Sequence, residues 1–186
     1  MKLKKINATL SLLAIIVLML HIGYSVFAYI TFYYNPVLTK AFAIPFMVMT
    51  CLHAICGMSI VFLQKDGTRL DLYPKQNMRT ILQRVSAAMI FPLLILHINT
   101  FQLLQFSVGK GMYLLFGLLL FMEVLFFATV ITHVAVSITG ALITLGILSS
   151  RKKQIILDRI IYIIGALAFV IAVIAVVKGQ ITMFIG

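Results

Sequence analysis

Of the 186 residues, 63% are hydrophobic and only 10% are charged. A soluble domain of this size could not keep so much apolar surface from water, so the composition excludes a water-soluble protein and predicts a chain that lies in lipid. The net charge of +11 would suggest a nucleic-acid partner in a soluble protein, but basic residues in a membrane protein first set its topology. We therefore expect contact with membrane lipid and no nucleic-acid partner.

Five apolar runs follow one another along the chain, and each could cross about 30 Å of hydrocarbon as a helix of about 20 residues. The fourth run is too long for one straight span, so it predicts a tilted helix or an extension out of the bilayer. The sequence predicts an all-α fold, with a single domain over 1–186 that forms an integral membrane bundle of five transmembrane helices. The runs cover residues 8–33, 41–63, 83–106, 112–148 and 157–184.

Basic residues are unevenly divided between the two ends of these runs. With the N-terminus in the cytoplasm, twelve of the fifteen Lys and Arg residues fall on the inner side, and only Lys40, Lys110 and Lys178 on the outer side. This is the positive-inside pattern, so we expect a cytoplasmic N-terminus. The inner loops at 64–77 and 149–158 are basic enough to meet an acidic partner or lipid headgroups as well.

The start of the chain also has features of a cleaved signal peptide. A basic segment precedes an apolar stretch, and Val26-Phe27-Ala28 is a passable cleavage site. The apolar run is longer than a usual signal core and continues beyond Ala28 through Phe32, which favours a spanning helix.

The four histidines of the chain are His21, His53, His97 and His133, and one lies in each of the first four runs. Ionisable side chains inside a bilayer are costly and usually face the bundle interior. A single one could be a helix-to-helix hydrogen bond, but that explanation is strained for one histidine in each of four consecutive helices. Axial ligation of haem requires such an arrangement, because a neutral imidazole binds each face of the iron. Two pairs of histidines would hold two haems.

Zinc is an alternative to haem at these histidines, and the haem propionates would need partners of their own. Zinc also accepts imidazole, but its ligands converge on one small tetrahedron, usually with cysteine or carboxylate, and no HExxH or paired-cysteine motif is present. Haem propionates need cationic partners near the membrane surface. Arg84 and Lys65 each lie about 18–20 Å along a helix from a histidine, at the inner boundary. We predict that they bind the propionates. The alternative is that they only anchor the helices at the inner membrane surface, under the positive-inside rule.

At these residues the chain resembles a known family, the dihaem cytochrome b membrane anchor of succinate dehydrogenase and fumarate reductase. The similar form is the single-subunit, five-helix type found with menaquinone in the plasma membrane of bacteria. The resemblance covers most of the chain. It rests on His53-Ala54-Ile55-Cys56-Gly57, which is similar to the family's HAxxG helix, on Leu82-Gln83-Arg84-Val85-Ser86 ahead of His97, on Leu18-Met19-Leu20-His21, and on Thr132-His133.

The resemblance implies two haem b groups with assigned ligands. His21 and His97 would bind the outer, distal haem, and His53 and His133 the inner, proximal haem. Counting depth from the inner charges does not sort the four histidines into two layers, so the pairing comes from the resemblance alone.

The resemblance also implies an oxidoreductase complex. Electrons would pass between an iron-sulfur subunit on the cytoplasmic face and menaquinone near the outer haem, while a flavoprotein subunit handles succinate or fumarate. This chain has neither a four-cysteine cluster motif nor a dinucleotide fingerprint, so those parts must be other polypeptides. We therefore expect the membrane subunit of an oxidoreductase, with no succinate or fumarate chemistry of its own.

Quinone chemistry has three candidate residues. Glu123 lies in the fourth run, about 15 Å toward the outer side of His133, at a depth where a quinone could gain or lose a proton. Its alternative role is a neutral, hydrogen-bonded carboxyl. Asn99 and Gln102, just beyond His97, could bind quinone or simply lie at the interface. The acid that some family members carry two residues before the fourth histidine is Ile131 here.

Two other functional classes remain open from the sequence. Histidines could line the substrate path of a small membrane binding or transport subunit, although neither broken helices nor inverted repeats support this. A structural anchor that has lost its haem and only tethers partners is the other alternative. Haem content distinguishes both from the dihaem anchor.

Overall fold

The computed structural model describes residues 2–64 and 74–186, which form five helices. They are α1 (Lys2–Thr31), α2 (Pro36–Gln64), α3 (Pro74–Gly109), α4 (Tyr113–Thr144) and α5 (Arg151–Phe184). All five are long and apolar enough to cross a membrane, and the described ranges contain no strand. The prediction of an all-α, multi-pass membrane protein with five spanning helices is confirmed. The cytoplasmic location of the N-terminus stays a prediction.

Four helices begin earlier than the apolar runs, α2 by five residues and α1, α3 and α5 by more. α1, α3 and α5 start at residues 2, 74 and 151, whereas their runs start at 8, 83 and 157. Basic and polar residues occupy these extensions. A helix at a membrane boundary can accommodate them, because long basic side chains lay their apolar stems along the helix while their charges stay in water. These three helices start at the end of the bundle that carries the N-terminus, which we call the N-terminal face.

The long fourth apolar run is one helix followed by a turn. α4 has 32 residues, which is about 48 Å of helix. It ends at Thr144, and Gly146 follows with a φ of 79°. This left-handed conformation is one that glycine adopts at little cost, and it is common just after a helix. The excess length of the run is therefore accounted for by a long helix together with the turn at 145–150.

The turn between α1 and α2 is fixed by Asn35. Its side-chain Oδ1 accepts hydrogen bonds from the backbone N–H groups of Val37 (2.9 Å) and Leu38 (3.2 Å). Asparagine is a preferred residue at this capping position, and proline, here Pro36, suits the first helical position. The hydroxyl of Tyr24 donates to the carbonyl of Asn35 at 3.1 Å and accepts from its N–H at 2.8 Å. These bonds set the α1–α2 hairpin.

α4 is the central helix, and α2 is the most peripheral one. α4 packs against α1, α3 and α5, whereas among the described residues α2 comes within 8 Å, Cα to Cα, of α1 alone. Helices that pack directly have axes about 8–10 Å apart, so α2 does not pack directly on α3 or α4. We call the space between α2 and the α3–α4 hairpin the α2 gap. Side chains, not close backbones, bridge it.

Apolar packing fills the middle of the bundle. Leu18 of α1, Leu93 and Leu94 of α3, and Phe126 and Val130 of α4 form one buried cluster, against which Phe46 and Met47 of α2 also pack. A second buried cluster joins α3 to α4 at the face opposite the N-terminus. It consists of Leu104, Phe116 and Leu119.

A polar cluster on the N-terminal face joins α3, α4 and α5. The Arg79 guanidinium donates to both carboxylate oxygens of Asp158, at 3.1 and 3.2 Å, and its Nε donates to the carbonyl of Val136 at 2.7 Å. The hydroxyl of Thr139 donates to the same carboxylate. We call Arg79, Thr139 and Asp158 the Arg79 cluster. Asp158, predicted to lie in a hinge, is instead part of α5.

Contact between α1 and α5 requires a glycine. A Cβ added at Gly179 would lie 2.6 Å from Cδ1 of Tyr29, closer than packed atoms approach. Gly179→Ala is therefore expected to push α5 away from α1 and to destabilise the protein by about 1–3 kcal/mol. The measurement is thermal unfolding in detergent.

Gly117→Ala is the matched control for this substitution. Gly117 also lies within a helix, but no heavy atom would lie within 4 Å of an added Cβ. Alanine there is expected to be neutral or to stabilise by about 0.5–1 kcal/mol. Equal melting temperatures for the two variants would show that Tyr29 does not press on Gly179.

Candidate functional site

His53 and His133 lie together across the α2 gap. Their ring centroids are 6.3 Å apart, and the ring planes are inclined at 62°. His53 projects from α2 and His133 from α4. Because no Cα atoms of these two helices come within 8 Å of each other in the described chain, the two imidazoles span a space that the backbones leave open.

Each of these two rings is held through its Nδ1 atom. Nδ1 of His53 lies 3.3 Å from the carbonyl oxygen of Asn7, and Nδ1 of His133 lies 3.1 Å from that of Gln83. Ser86 Oγ is a second neighbour of the same Nδ1 atom of His133, also at 3.1 Å. A carbonyl can only accept, so it fixes the proton on Nδ1 and leaves the lone pair on Nε2. Histidines that bind metal through one nitrogen usually donate the other N–H in this way.

His21 and His97, the other predicted pair, both lie in the middle of the bundle beside one apolar cluster. The His21 ring stacks on Phe46, with centroids 5.9 Å apart and planes 7° from parallel, and the His97 ring stacks on Phe126 at 4.7 Å. Phe126 belongs to the buried apolar cluster and Phe46 packs against it, so the two histidines border the same cluster. Nδ1 of His21 is buried and has no hydrogen-bond partner among the described residues.

Glu123 is the hydrogen-bond partner of His97. Its carboxylate oxygens lie 2.9 and 3.1 Å from Nδ1 of His97, and the hydroxyl of Thr100 donates to it at 2.6 Å. The glutamate is only 2% exposed. From the sequence, the position of Glu123 was related only to His133, and both contacts with α3 were missed.

The geometry of an antiparallel hairpin could have revealed these contacts. The turn between α3 and α4 lies at residues 110–112. Residues at equal distances before and after such a turn lie side by side, and Glu123 is about as far beyond the turn as His97 and Thr100 are before it. Residues 97 and 100 also share one helix face, since they are three apart.

The two histidine pairs lie at different depths in the bundle. Asn7 and Gln83, which hold the His53/His133 pair, each precede a histidine of the other pair by 14 residues in the same helix, which is about 21 Å. The His53/His133 pair is therefore nearer the N-terminal face. Counting from charges failed to sort the layers because the charged helix extensions differ in length.

The other predicted site residues lie on α3 or outside the described part of the chain. Arg84 is half-buried on α3, between the two residues that contact His133. Asn99 and Gln102 are exposed, and the Asn99 amide donates to Ile95 of its own helix at 2.7 Å. The structure does not bring either of them to Glu123. Lys65 lies outside the described residues.

The histidine pairs can be tested for their fit to haem. In the described chain no group of three or more His, Cys, Asp or Glu side chains could hold a metal ion, but haem iron needs only two protein ligands because the macrocycle supplies four nitrogens. Two imidazoles bound through metal–nitrogen bonds of about 2 Å on opposite faces would have ring centroids about 6 Å apart. The 6.3 Å between His53 and His133 meets this requirement, and rotation about the bonds accommodates any inclination. The ring separation of the His53/His133 pair fits the group.

Comparison with known proteins identifies no relative. The function is therefore proposed from the histidine pairs and from the motifs around them. No family model, no curated protein and no solved structure matches the chain.

Proposed function

We propose that this chain is the dihaem cytochrome b membrane anchor of a succinate:quinone or quinol:fumarate oxidoreductase. It would pass electrons between an iron-sulfur subunit and menaquinone in the plasma membrane of a bacterium. The observation that carries the proposal is the His53/His133 pair, in which two imidazoles 6.3 Å apart bridge a gap between helices, each with Nδ1 anchored by the protein. The family resemblance of the surrounding motifs adds support.

In this proposal His53 and His133 hold one haem b, and His21 and His97 hold the other. Each bound haem supplies one-electron transfer. The chain's own residues position and surround these groups. The carbonyls of Asn7 and Gln83 orient two of the imidazoles, and two phenylalanine rings stack on those of His21 and His97.

The N-terminal face is the proposed docking surface for the soluble subunits. With the N-terminus in the cytoplasm, an iron-sulfur subunit and a flavoprotein would bind there, on the side of the His53/His133 pair. The exposed cations of this face suit an acidic partner surface, because complementary charge speeds and orients association. Arg84 and Lys65 are the proposed partners of the haem propionates. The exposed cations include Lys2, Lys4, Lys5, Arg151, Lys152, Lys153 and Arg159.

Menaquinone would react near the His21/His97 pair, on the side away from the N-terminal face. A quinone arrives from the lipid, so it must first meet exposed groups. Asn99 and Gln102 are exposed on α3, and they lie two and five residues beyond His97. They lie on the exposed side of α3, away from the His97 side chain, and are the proposed contacts for the quinone headgroup.

Haem content per chain tests this proposal. The purified protein is expected to contain two haem b per chain in a pyridine haemochrome assay, with b-type bands in the dithionite-reduced minus oxidised spectrum. A protein without haem would overturn the proposal and favour a haem-free anchor or a transport subunit. A single haem per chain would overturn the assignment of all four histidines as ligands.

Quinone reactivity is tested separately. A short-chain menaquinol added without oxygen is expected to reduce the haem of the purified chain, because the proposed site lies in this subunit. Haem that dithionite reduces and menaquinol does not would contradict the quinone part of the proposal.

A further inference from the structure

Glu123 gives His97 a carboxylate partner, which none of the other three histidines has among the described residues. Both of its carboxylate oxygens face Nδ1 of His97, at 2.9 and 3.1 Å, and Thr100 donates to it at 2.6 Å. The His97 ring is also fixed from the side by Phe126, with centroids 4.7 Å apart, and by Phe127 at 6.0 Å. The ring therefore has little freedom to turn.

The acceptor at His97 differs chemically from those at the other histidines. Nδ1 of His53 and that of His133 face neutral backbone carbonyls, and Nδ1 of His21 has no partner in the described part of the chain. A carboxylate draws the Nδ1 proton more strongly than a carbonyl does. In a site with little water this effect is larger than it would be in solution. His97 should therefore carry the most electron density of the four imidazoles.

We infer that Glu123 is a positioning residue that holds His97 and lowers the reduction potential of the haem bound by His97. The inference rests on the proposed function. A more electron-rich imidazole and a nearby negative charge both favour the oxidised, more positive iron. The haem of the His21/His97 pair would therefore be harder to reduce than it would be without the carboxylate.

Burial argues against the role in quinone protonation that the sequence suggested for Glu123. The side chain is 2% exposed, and His97 and Thr100 already occupy its oxygens. A group that exchanges protons with a quinone must be reached by that quinone, directly or through one water. Glu123 faces the histidine instead.

The test is Glu123→Gln with potentiometric titration of both haems. The amide oxygen can still accept from Nδ1, so both haems should remain bound, but the negative charge is lost. One haem is expected to become easier to reduce by roughly tenfold in its equilibrium constant, which is about 59 mV for one electron. His97→Ala identifies that haem, because its signal should disappear in this variant.

Two variants separate the effect of charge from a change in packing. Glu123→Asp keeps the charge and is expected to restore much of the wild-type potential. Thr100→Val removes a donor to the carboxylate, which concentrates negative charge toward His97 and should shift the potential in the opposite direction from Glu123→Gln. Shifts in the same direction would indicate altered packing and overturn the inference.

Asp158→Asn makes the same change from acid to amide in the Arg79 cluster, and it should leave the potential of the His97 haem unchanged. Two haems with unchanged potentials in Glu123→Gln would overturn this inference alone. Slower reduction by menaquinol at unchanged potentials would also overturn it, and would return Glu123 to proton transfer. A wild-type protein without haem would refute the proposed function itself.

Discussion

Replacing His133 with alanine is expected to remove one of the two proposed haems and to leave the other in place. The methyl group of alanine cannot ligate iron, and a haem with His53 as its single remaining protein ligand would be held weakly. The His21/His97 pair lies at another depth and should keep its haem. The pyridine haemochrome assay is therefore expected to fall to half of the wild-type value.

Double variants test the pairing more sharply than single ones. If His53 and His133 share one haem, the variant lacking both should contain as much haem as either single variant. A variant lacking His53 and His97 should contain none. The losses of haem caused by two substitutions are not additive when both residues bind the same haem, and they are additive when the residues bind different haems. The reverse pattern would refute the pairing while leaving haem binding intact.

Asn99→Ala is the control for these measurements. Asn99 is exposed, and within the described residues its amide bonds to its own helix, at Ile95. Its removal is expected to leave both haems bound. A loss of haem in this variant would mean that haem content reports general damage to α3 and cannot identify ligands.

Replacing Asp158 with alanine is expected to lower the stability of the bundle by about 1–3 kcal/mol. The change leaves the Arg79 guanidinium without its carboxylate and the hydroxyl of Thr139, which is 1% exposed, without this acceptor. Breaking a fully buried ion pair costs about 3–5 kcal/mol. The side chains of Arg79 and Asp158 are 34% and 23% exposed, so water offsets part of that cost. Thermal unfolding in detergent measures the effect.

A double-mutant cycle then isolates the ion pair. Arg79→Ala and Asp158→Ala together should lower the free energy of unfolding by less than the sum of the two single variants, because the second change no longer leaves a charge without its partner.

Arg159→Ala is the matched surface control. Arg159 is exposed next to Asp158, and its loss should change stability by less than about 0.5 kcal/mol. Additive costs in the cycle would show that the two side chains do not stabilise each other.

The five helices could be predicted from the sequence because hydrophobic length is a strong signal in membrane proteins. Their ends could not, since charged extensions such as the start of α3 are helical but not apolar. At Gly146 the opposite happens, because the sequence stays apolar beyond the end of α4. The helix end could therefore not be predicted from hydrophobicity, and the structure shows it by the left-handed conformation of the glycine.

The candidate site was predictable in part. One histidine per helix identified the residues, but their partners depend on how neighbouring helices align. Glu123 could have been matched to His97 by reflection about the turn at 110–112. Asn99 and Gln102 could have been placed away from the His97 face, because at 100° per residue they point roughly 200° and 140° from it. The depth of the pairs required the tertiary structure.

The α2 gap has a consequence for biogenesis. Only 6% of the apolar window of α2 is buried within the protein, against 33% for α4, so the chain alone gives α2 few contacts beyond α1. A ligand stabilises the state that binds it, and in the proposed function a haem would join α2 to α3 and α4. Cofactor insertion would then be the last step of folding. Under haem starvation, the chain would present a loosely attached helix to the proteases of the membrane, and the haem supply would set its abundance.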